Sequence, residues 1–315
     1  MISCENYRAG RAACQYRTIY QSLLFPSILL ASKQGIVMIT PKHLVFSLGL
    51  IVCFSTSAQD KQMVDVGDHK LMALVSGSGQ YTVVFESGFG NDLSIWRLVQ
   101  PLVSEYATTV TYSRAGYPGS EEGPVPRTIS QVNLELHNLL AELDLPPPYI
   151  LVGHSLGGIF VRSFYATYPN GVLGMVLVDS SHERQFLSLL ELDPDFDPWT
   201  EGYAMLESRE GISEGMRGEL INFLEISKTG ILPAMRTMEN LPLYVFTSGT
   251  LLEEDESIAN SQAGKQVSID LHSEFMEGVT NGGHIITQQS DHFIQLREPE
   301  LINWAVERIV ATLEE

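Results

Sequence analysis

The sequence has few cysteines, few basic residues and no long apolar run. Its three cysteines are Cys4, Cys14 and Cys53, and none occurs after residue 53. Beyond that point the chain has no thiol, which excludes a cysteine nucleophile, a disulfide framework and a cysteine metal site. A thiol-free protein is also suited to an oxidising compartment.

Basic residues are outnumbered two to one. The chain has 19 Lys and Arg against 38 Asp and Glu, a formal net charge of −19, and its basic residues form no cluster. A nucleic-acid partner is therefore not expected, because such proteins carry a basic patch or stripe. With 44% hydrophobic and 18% charged residues, the composition is typical of a globular protein with a sizeable core. We expect a small-molecule substrate.

The first 58 residues differ from the rest, with five basic residues and one acidic residue. Their apolar run, residues 44–54, is shorter than the about 20 residues that span a bilayer. The run resembles the apolar part of a secretory signal peptide, with "MITPKH" from Met38 before it and a small-residue cleavage site ending at Ala58. We therefore predict an N-terminal extension and signal peptide over residues 1–58, a translation start at Met38, and a secreted or periplasmic protein. An uncleaved anchor is the alternative, and no stable membrane insertion is expected after cleavage.

From residue 63 onward, short β-branched runs alternate with helical patterns. This alternation predicts an α/β fold with a mostly parallel sheet and helices on both faces. The first two strands, joined by a short turn, are expected to form an antiparallel edge. The predicted strands cover residues 63–66, 69–76, 81–88, 107–114, 148–155, 171–180, 241–249 and 282–289, and helices are expected at 94–106, 128–143, 156–169 and 299–315.

Residues from about 182 to 240 contain no good strand pattern. An insertion of this length is too long for a plain loop, so we predict a helical cap. It would cover the carboxyl ends of the strands, where open α/β sheets bind their ligands.

The motif "VGHSLGG" follows a predicted strand and precedes a predicted helix. Gly153, Ser155 and Gly157 match the Gly-x-Ser-x-Gly nucleophile elbow, in the strand–turn–helix context that the motif requires. The turn is so tight that the residues beside the serine must be small. We predict Ser155 as the nucleophile and the N–H of Leu156 as an oxyanion donor at the helix N-terminus.

A serine hydroxyl needs a general base, which in this arrangement follows the last strand. His292 lies in the loop after that strand, whereas His284 lies within the strand pattern. We therefore favour His292. A second oxyanion donor is expected after the strand at 81–88, where Gly88 allows the turn and the N–H of Phe89 is the candidate.

The carboxylate that orients the histidine has two possible positions. One is the loop after the strand at 241–249, where the acids are Glu253, Glu254 and Asp255; the other is Asp179 at the end of the preceding strand. We favour Asp179 because a strand end is held more rigidly than an acidic loop.

Residues 63–315 together resemble the α/β-hydrolase superfamily, in particular its capped, esterase-like serine hydrolases. Besides the elbow, the resemblance rests on "VTYSRAGYPGS", "RSFYATYP", "MVLVDSSHERQ" and "DHFIQLREPELI". It implies an α/β-hydrolase domain over residues 59–315 with an eight-stranded, mostly parallel sheet and a helical cap, and no metal or organic cofactor. Two features depart from the family pattern. Ser87-Gly88 replaces His-Gly in the oxyanion loop, and the positions directly after the strand at 241–249, where the acid is most common, hold no Asp or Glu.

The resulting hypothesis is a serine hydrolase that cleaves a small ester, lactone or amide through an acyl-enzyme, with Ser155, His292 and Asp179 as its triad. C–C bond hydrolysis or perhydrolysis on the same scaffold is an alternative within enzymes. A ligand-binding receptor that has lost catalysis is the alternative outside enzymes, because fold does not imply function.

Overall fold

The computed structural model describes residues 60–208, 211–233 and 235–314. The predicted signal peptide, its cleavage after Ala58 and the start at Met38 lie outside these residues. No helix among the residues described has both the length and the apolar character needed to cross a membrane.

The centre of the fold is an eight-stranded sheet with the order β1-β2-β4-β3-β5-β6-β7-β8. β2 pairs antiparallel with both β1 and β4, and the pairs from β4 through β8 are parallel. The sequence-based prediction of a mostly parallel sheet with an antiparallel edge is therefore confirmed. The strands are β1 (Gln62–Asp65), β2 (Lys70–Ser76), β3 (Thr82–Glu86), β4 (Thr108–Tyr112), β5 (Tyr149–His154), β6 (Val172–Val178), β7 (Leu243–Ser248) and β8 (Gly282–Thr287).

The central strands are buried along their whole length because helices cover both faces of the sheet. Neighbouring residues of one strand point to opposite faces. In β5, Leu151 joins the core that contains Leu136 and Phe164, whereas Ile150 joins the core that contains Trp96 and Ile302. The two apolar cores hold the sheet between helix layers and fix where each strand ends.

Nine helices lie in the described residues. α2 and α3 pack together on one face of the sheet, and α1 and α9 pack together on the other. The helices are α1 (Gln100–Val103), α2 (Ile129–Glu142), α3 (Leu156–Thr167), α4 (Gln185–Leu192), α5 (Pro198–Ser208), α6 (Glu214–Thr229), α7 (Gln262–Glu274), α8 (Ile294–Arg297) and α9 (Pro299–Glu314).

The helix expected at 94–106 is not continuous. A 3-10 turn covers Leu93–Trp96, and α1 then begins at Gln100 with Pro101 in its first turn. Proline has no N–H to donate to the carbonyl four residues earlier, so a helix that runs through this position is interrupted. The prediction of one helix over 94–106 was therefore wrong for the residues between Trp96 and Gln100.

The predicted insertion at 182–240 contains α4, α5 and α6, which form the helical cap. Leu206 of α5 and Leu220 and Leu224 of α6 form a small apolar core of their own, with Trp199 and Phe223 packed against it. The cap also packs on the body of the fold, because Ile226 of α6 shares an apolar cluster with Ile159 and Phe160 of α3.

Candidate active site

Ser155 lies in the turn between β5 and α3, with a backbone φ of 52° and ψ of −124°. A positive φ is strained for a residue with a side chain, and such strain is frequent at functional sites. The Ser155 N–H donates to the Val178 carbonyl at 3.1 Å. The Ser155 carbonyl accepts from the N–H groups of Gly158 and Ser181, each at 2.9 Å. Backbone hydrogen bonds from β6 and α3 thus hold the strained conformation in place.

The glycines of the motif leave the space that this turn needs. A Cβ atom on Gly153 would lie 2.6 Å from Val161 Cγ2, and one on Gly157 would lie 2.4 Å from the Glu86 carbonyl oxygen. Backbone at Glu86 cannot rotate aside as a side chain can. The turn places Leu156 as the first residue of α3, where a backbone N–H has no acceptor within the helix.

Asp179 follows β6 and binds His292. Its Oδ2 lies 2.7 Å from His292 Nδ1, and its Oδ1 accepts from the Ser248 N–H at 2.9 Å. Burial raises the pKa of Asp179, but the hydrogen bond and charge of His292 outweigh it, so the pKa falls below 3.8. Because the ionised carboxylate only accepts, Nδ1 of His292 carries the proton. In the neutral ring, Nε2 is then the basic nitrogen.

His154, beside Ser155, holds the backbone of His292. Its side chain is fully buried, and Nε2 donates to the His292 carbonyl at 3.0 Å. The two imidazole rings lie 4.6 Å apart between centroids, and Phe293 packs 5.6 Å from the His154 ring. His154 therefore packs inside the elbow and also fixes the loop that carries His292.

Within the described residues, no hydrogen bond joins Ser155 Oγ to His292. The elbow and the histidine loop are nevertheless adjacent through His154. Hydrogen bonds between catalytic groups often tighten only when substrate is bound.

The loop after β3 passes directly beside Ser155. A Cβ atom on Gly88 would lie 2.9 Å from Ser155 Cβ and 3.0 Å from His154 Nδ1. The next residue, Phe89, has a backbone N–H that donates to no acceptor among the described residues. The Phe89 carbonyl is held by Asn91 Nδ2 at 3.1 Å. An unpaired N–H in this loop is what an oxyanion donor requires.

Arg114, which follows β4, binds the backbone carbonyls of this loop. Its Nη1 donates to the Ser87 carbonyl and to Glu86 Oε1, each at 2.6 Å, and its Nη2 donates to the Gly88 carbonyl at 3.3 Å. Both the arginine and Glu86 are buried. Burial raises the pKa of Glu86 despite the neighbouring guanidinium. The carbonyls of the loop are thus bound by a charged donor in a dry environment, where such bonds are strong.

The same arginine connects the loop to the cap. Arg114 Nε lies 3.0 Å from both carboxylate oxygens of Glu219, a fully buried residue of α6. Tyr117 donates to Glu219 at 2.7 Å, and Arg127 lies 3.7 Å from it. The position of the cap and the conformation of the oxyanion loop therefore share one buried ionic network.

A second polar chain supports the turn after Asp179. His272 of α7 contacts the Ser180 carbonyl through Nε2 and Thr247 Oγ1 through Nδ1, both at 2.6 Å. Thr247 Oγ1 also lies 2.7 Å from His284 Nε2, and His284 Nδ1 lies 3.1 Å from Ser273 Oγ.

The Ser180 carbonyl sets the direction of the hydrogen bonds that join His272, Thr247 and His284. Since a carbonyl only accepts, His272 Nε2 donates and its Nδ1 accepts from Thr247. Thr247 then accepts from His284. Burial lowers the pKa of His272 and lowers that of His284 to about 4, which favours the neutral rings that this direction needs. His284 thus supports the site from a distance.

The structure brings Ser155, Leu156, Phe89, His292 and Asp179 to the carboxyl ends of β3, β5, β6 and β8. The alternative acids Glu253, Glu254 and Asp255 lie on the exposed loop after β7 and form no hydrogen bond to His292 among the described contacts.

Three contributors were missed by the sequence analysis: Arg114, Glu219 and His272. The motif "YSRAGYPGS" contains Arg114, but nothing in it indicates a partner in the cap. In the part of the chain that the structure describes, no group of three or more His, Cys, Asp or Glu side chains is arranged to hold a metal ion.

The buried histidine of the elbow generates a prediction. Burial, followed by the charge of His292, lowers the pKa of His154 from 6.5 to about 3. Between pH 3 and 6.5 the unfolded chain therefore binds a proton at His154 that the native state lacks, and stability falls as the pH falls through this window. We expect NMR spectra of ¹³C-labelled histidine to show a neutral His154 ring from pH 8 down to pH 4.

The signal that disappears in a His154→Asn variant assigns the ring in these spectra. A titration midpoint near pH 6.5 for that signal would show that the ring is not buried as the structure has it.

Comparison with known proteins agrees with the fold. A family model for the α/β-hydrolase fold matches residues 81–209. The uncharacterized protein YqjL of Bacillus subtilis is 29% identical over 231 residues, which cover 73% of this chain and 83% of YqjL.

Solved structures share the fold at low sequence identity. A mutant of the Vigna radiata epoxide hydrolase is similar with a TM-score of 0.61 at 17% identity, over 81% of this chain and 99% of that one. A thermophilic esterase from Thermogutta terrifontis is similar with a TM-score of 0.57 at 16% identity, over 81% of this chain and 100% of that one. With its eight-stranded sheet and its strained serine elbow, the chain has the α/β-hydrolase fold, and residues 81–209 match the family model for that fold.

Proposed function

We propose that this α/β-hydrolase is a serine hydrolase that cleaves a small ester, lactone or amide through an acyl-enzyme on Ser155. The observation that carries the proposal is the 2.7 Å contact between His292 Nδ1 and Asp179 Oδ2, beside an elbow that holds Ser155 at a positive φ. A carboxylate on one ring nitrogen leaves the other nitrogen as a base for the serine hydroxyl. An aspartate nucleophile is excluded because serine occupies the elbow.

In the first half of the reaction, Ser155 Oγ attacks the substrate carbonyl carbon while His292 Nε2 takes the hydroxyl proton. The carbonyl π electrons move onto oxygen, and the N–H groups of Phe89 and Leu156 donate to the oxyanion. Each such donor contributes about 3 kcal/mol to the transition state. The intermediate then collapses, the bond to the leaving group breaks, and His292 returns its proton to that group.

In the second half, a water molecule gives a proton to His292 Nε2 and its oxygen attacks the acyl carbon. The bond to Ser155 Oγ breaks, the serine recovers its proton from His292, and the acid leaves. Asp179 stabilises the imidazolium in both halves without becoming protonated, which agrees with its lowered pKa.

We further propose that this reaction takes place outside the cytoplasm, because a signal peptide is predicted over residues 1–58. Secretion or export to the periplasm with cleavage after Ala58 is part of the proposal, as is a small-molecule substrate. The basic, apolar character of residues 1–58 is its support.

Removal of the serine hydroxyl tests the proposed nucleophile. We expect Ser155→Ala to lower kcat for p-nitrophenyl acetate by about 10⁵-fold or more, because no covalent intermediate can form. Release of p-nitrophenol measures the rate, and circular dichroism and the thermal midpoint establish that the variant is folded. Turnover by a folded Ser155→Ala protein at the wild-type rate would rule out an acyl-enzyme on Ser155. If neither the wild-type protein nor the variant hydrolysed the ester, a binding protein would be favoured.

A pair of isosteric substitutions identifies the acid. We expect Asp179→Asn to lower kcat by about 10³- to 10⁴-fold, because the amide cannot stabilise the imidazolium or hold the correct tautomer. Glu254→Gln removes the same charge from the exposed loop and is expected to leave kcat near the wild-type value. The reverse order of effects in the ester assay would place the acid after β7 instead.

A further inference from the structure

A polar cavity of about 210 Å³ extends from His292 between the ends of β6 and β7 and the helices α4 and α7. Asp179 and His292 both lie on its wall, and Ser181 on the same wall donates its N–H to the Ser155 carbonyl at 2.9 Å. One end of a substrate that Ser155 attacks beside His292 would therefore extend into this space.

The wall of the cavity is unsuited to a long hydrocarbon chain. Of the fifteen residues that line it, only Leu252 and Ala259 are apolar. Pockets for apolar ligands are lined mainly by hydrophobic and aromatic side chains. The size and the lining together favour a short substrate with a polar end.

Lys265 supplies a positive charge on the cavity wall, which can distinguish an anionic ligand group from a neutral polar one. It lies in the first turns of α7, is half-buried, and is the one lysine or arginine among the described residues of the wall. No carboxylate among the described residues forms an ion pair with it. An ammonium group without a protein counterion in a cavity is a site for an anion from outside.

The carboxylates of the wall already have donors. Asp179 is bound by His292. Asp291 accepts from the Phe293 N–H at 2.9 Å and lies 3.7 Å from an Arg297 nitrogen. The third, Asp255, accepts from the backbone N–H of Ser257 at 2.9 Å. These contacts offset part of the negative charge that faces Lys265.

Thr250 offers a second donor. Its Oγ1 is buried in the wall and has no hydrogen-bond partner in the described part of the chain. A buried hydroxyl without a partner is costly, and a ligand oxygen in the cavity would satisfy it.

We propose that this cavity binds one end of a short substrate and that Lys265 selects substrates with a carboxylate at that end. The inference rests on the proposed function, because it assigns a substrate class to the Ser155 site. The ammonium of Lys265 would pair with the carboxylate, and the Thr250 hydroxyl would donate to one of its oxygens.

Two pairs of esters that differ only in a terminal methyl or carboxylate test this proposal. Monomethyl glutarate and methyl pentanoate place the group on the acyl side, and 4-acetoxybutanoate and butyl acetate place it on the alcohol side. The rate of acid release is measured by pH-stat titration. In at least one pair, we expect kcat/KM of the wild-type protein to be about tenfold or more higher for the anionic ester.

Substitutions at Lys265 test whether this residue causes the preference for the anionic ester. Lys265→Met is expected to abolish it by lowering kcat/KM for the anionic ester to about the value for the neutral ester, and Lys265→Arg is expected to retain it. Lys70→Met removes the same charge from an exposed position on β2 and is expected to retain the preference, which separates a local contact from the overall charge of the protein.

The remaining outcomes contradict the proposed carboxylate-binding subsite, the proposed serine hydrolase activity, or both. Equal or higher kcat/KM for the neutral ester in both pairs overturns the subsite and leaves the hydrolase intact. A preference that Lys265→Met leaves unchanged, or that Lys70→Met removes equally, also overturns the role of Lys265. If no ester in either pair is hydrolysed in a Ser155-dependent manner, the proposed function fails for these esters and the inference fails with it.

Discussion

The close approach of β5 and α3 at Ser155 is the constraint on which the site depends. The chain reverses so sharply that the serine takes a φ of 52° and that a side chain on Gly157 would strike the carbonyl of Glu86. The same reversal places the Ser155 side chain at the N-terminus of α3, at the edge of the sheet where the parallel strands end. Strain of this kind persists only when the surroundings over-determine it, and here hydrogen bonds from β6 and α3 do so.

Buried polar groups extend this constraint to the other parts of the site. His154 holds the loop of His292, Arg114 holds the oxyanion loop and reaches Glu219 in the cap, and His272 holds the carbonyl next to Asp179. Each bond lies away from water, where a lost partner leaves an unpaired polar group. Ser155, His292 and Asp179 are therefore positioned by buried polar side chains that lie outside the proposed triad.

Sequence alone predicted those parts of the site whose signal is local. The elbow lies within five adjacent residues, and the choice of Asp179 over Asp255 followed from the rigidity of a strand end, which agrees with the contact to His292. The α7 helix was missed because its sequence, "QAGKQVSIDLHSE", has a weak apolar stripe, although parallel β7 and β8 need such a crossover. Arg114 and Glu219 are 105 residues apart in sequence, and no local pattern pairs one buried arginine with one glutamate of the cap.

The central claim is that the hydroxyl at the elbow is a nucleophile activated by its surroundings. Its most direct measurement is mass spectrometry of the folded protein after treatment with diisopropyl fluorophosphate, followed by peptide mapping. One phosphoryl group on Ser155, formed much more slowly in a His292→Ala variant, is the predicted result. An unmodified folded protein, or an adduct on a different residue, would contradict it.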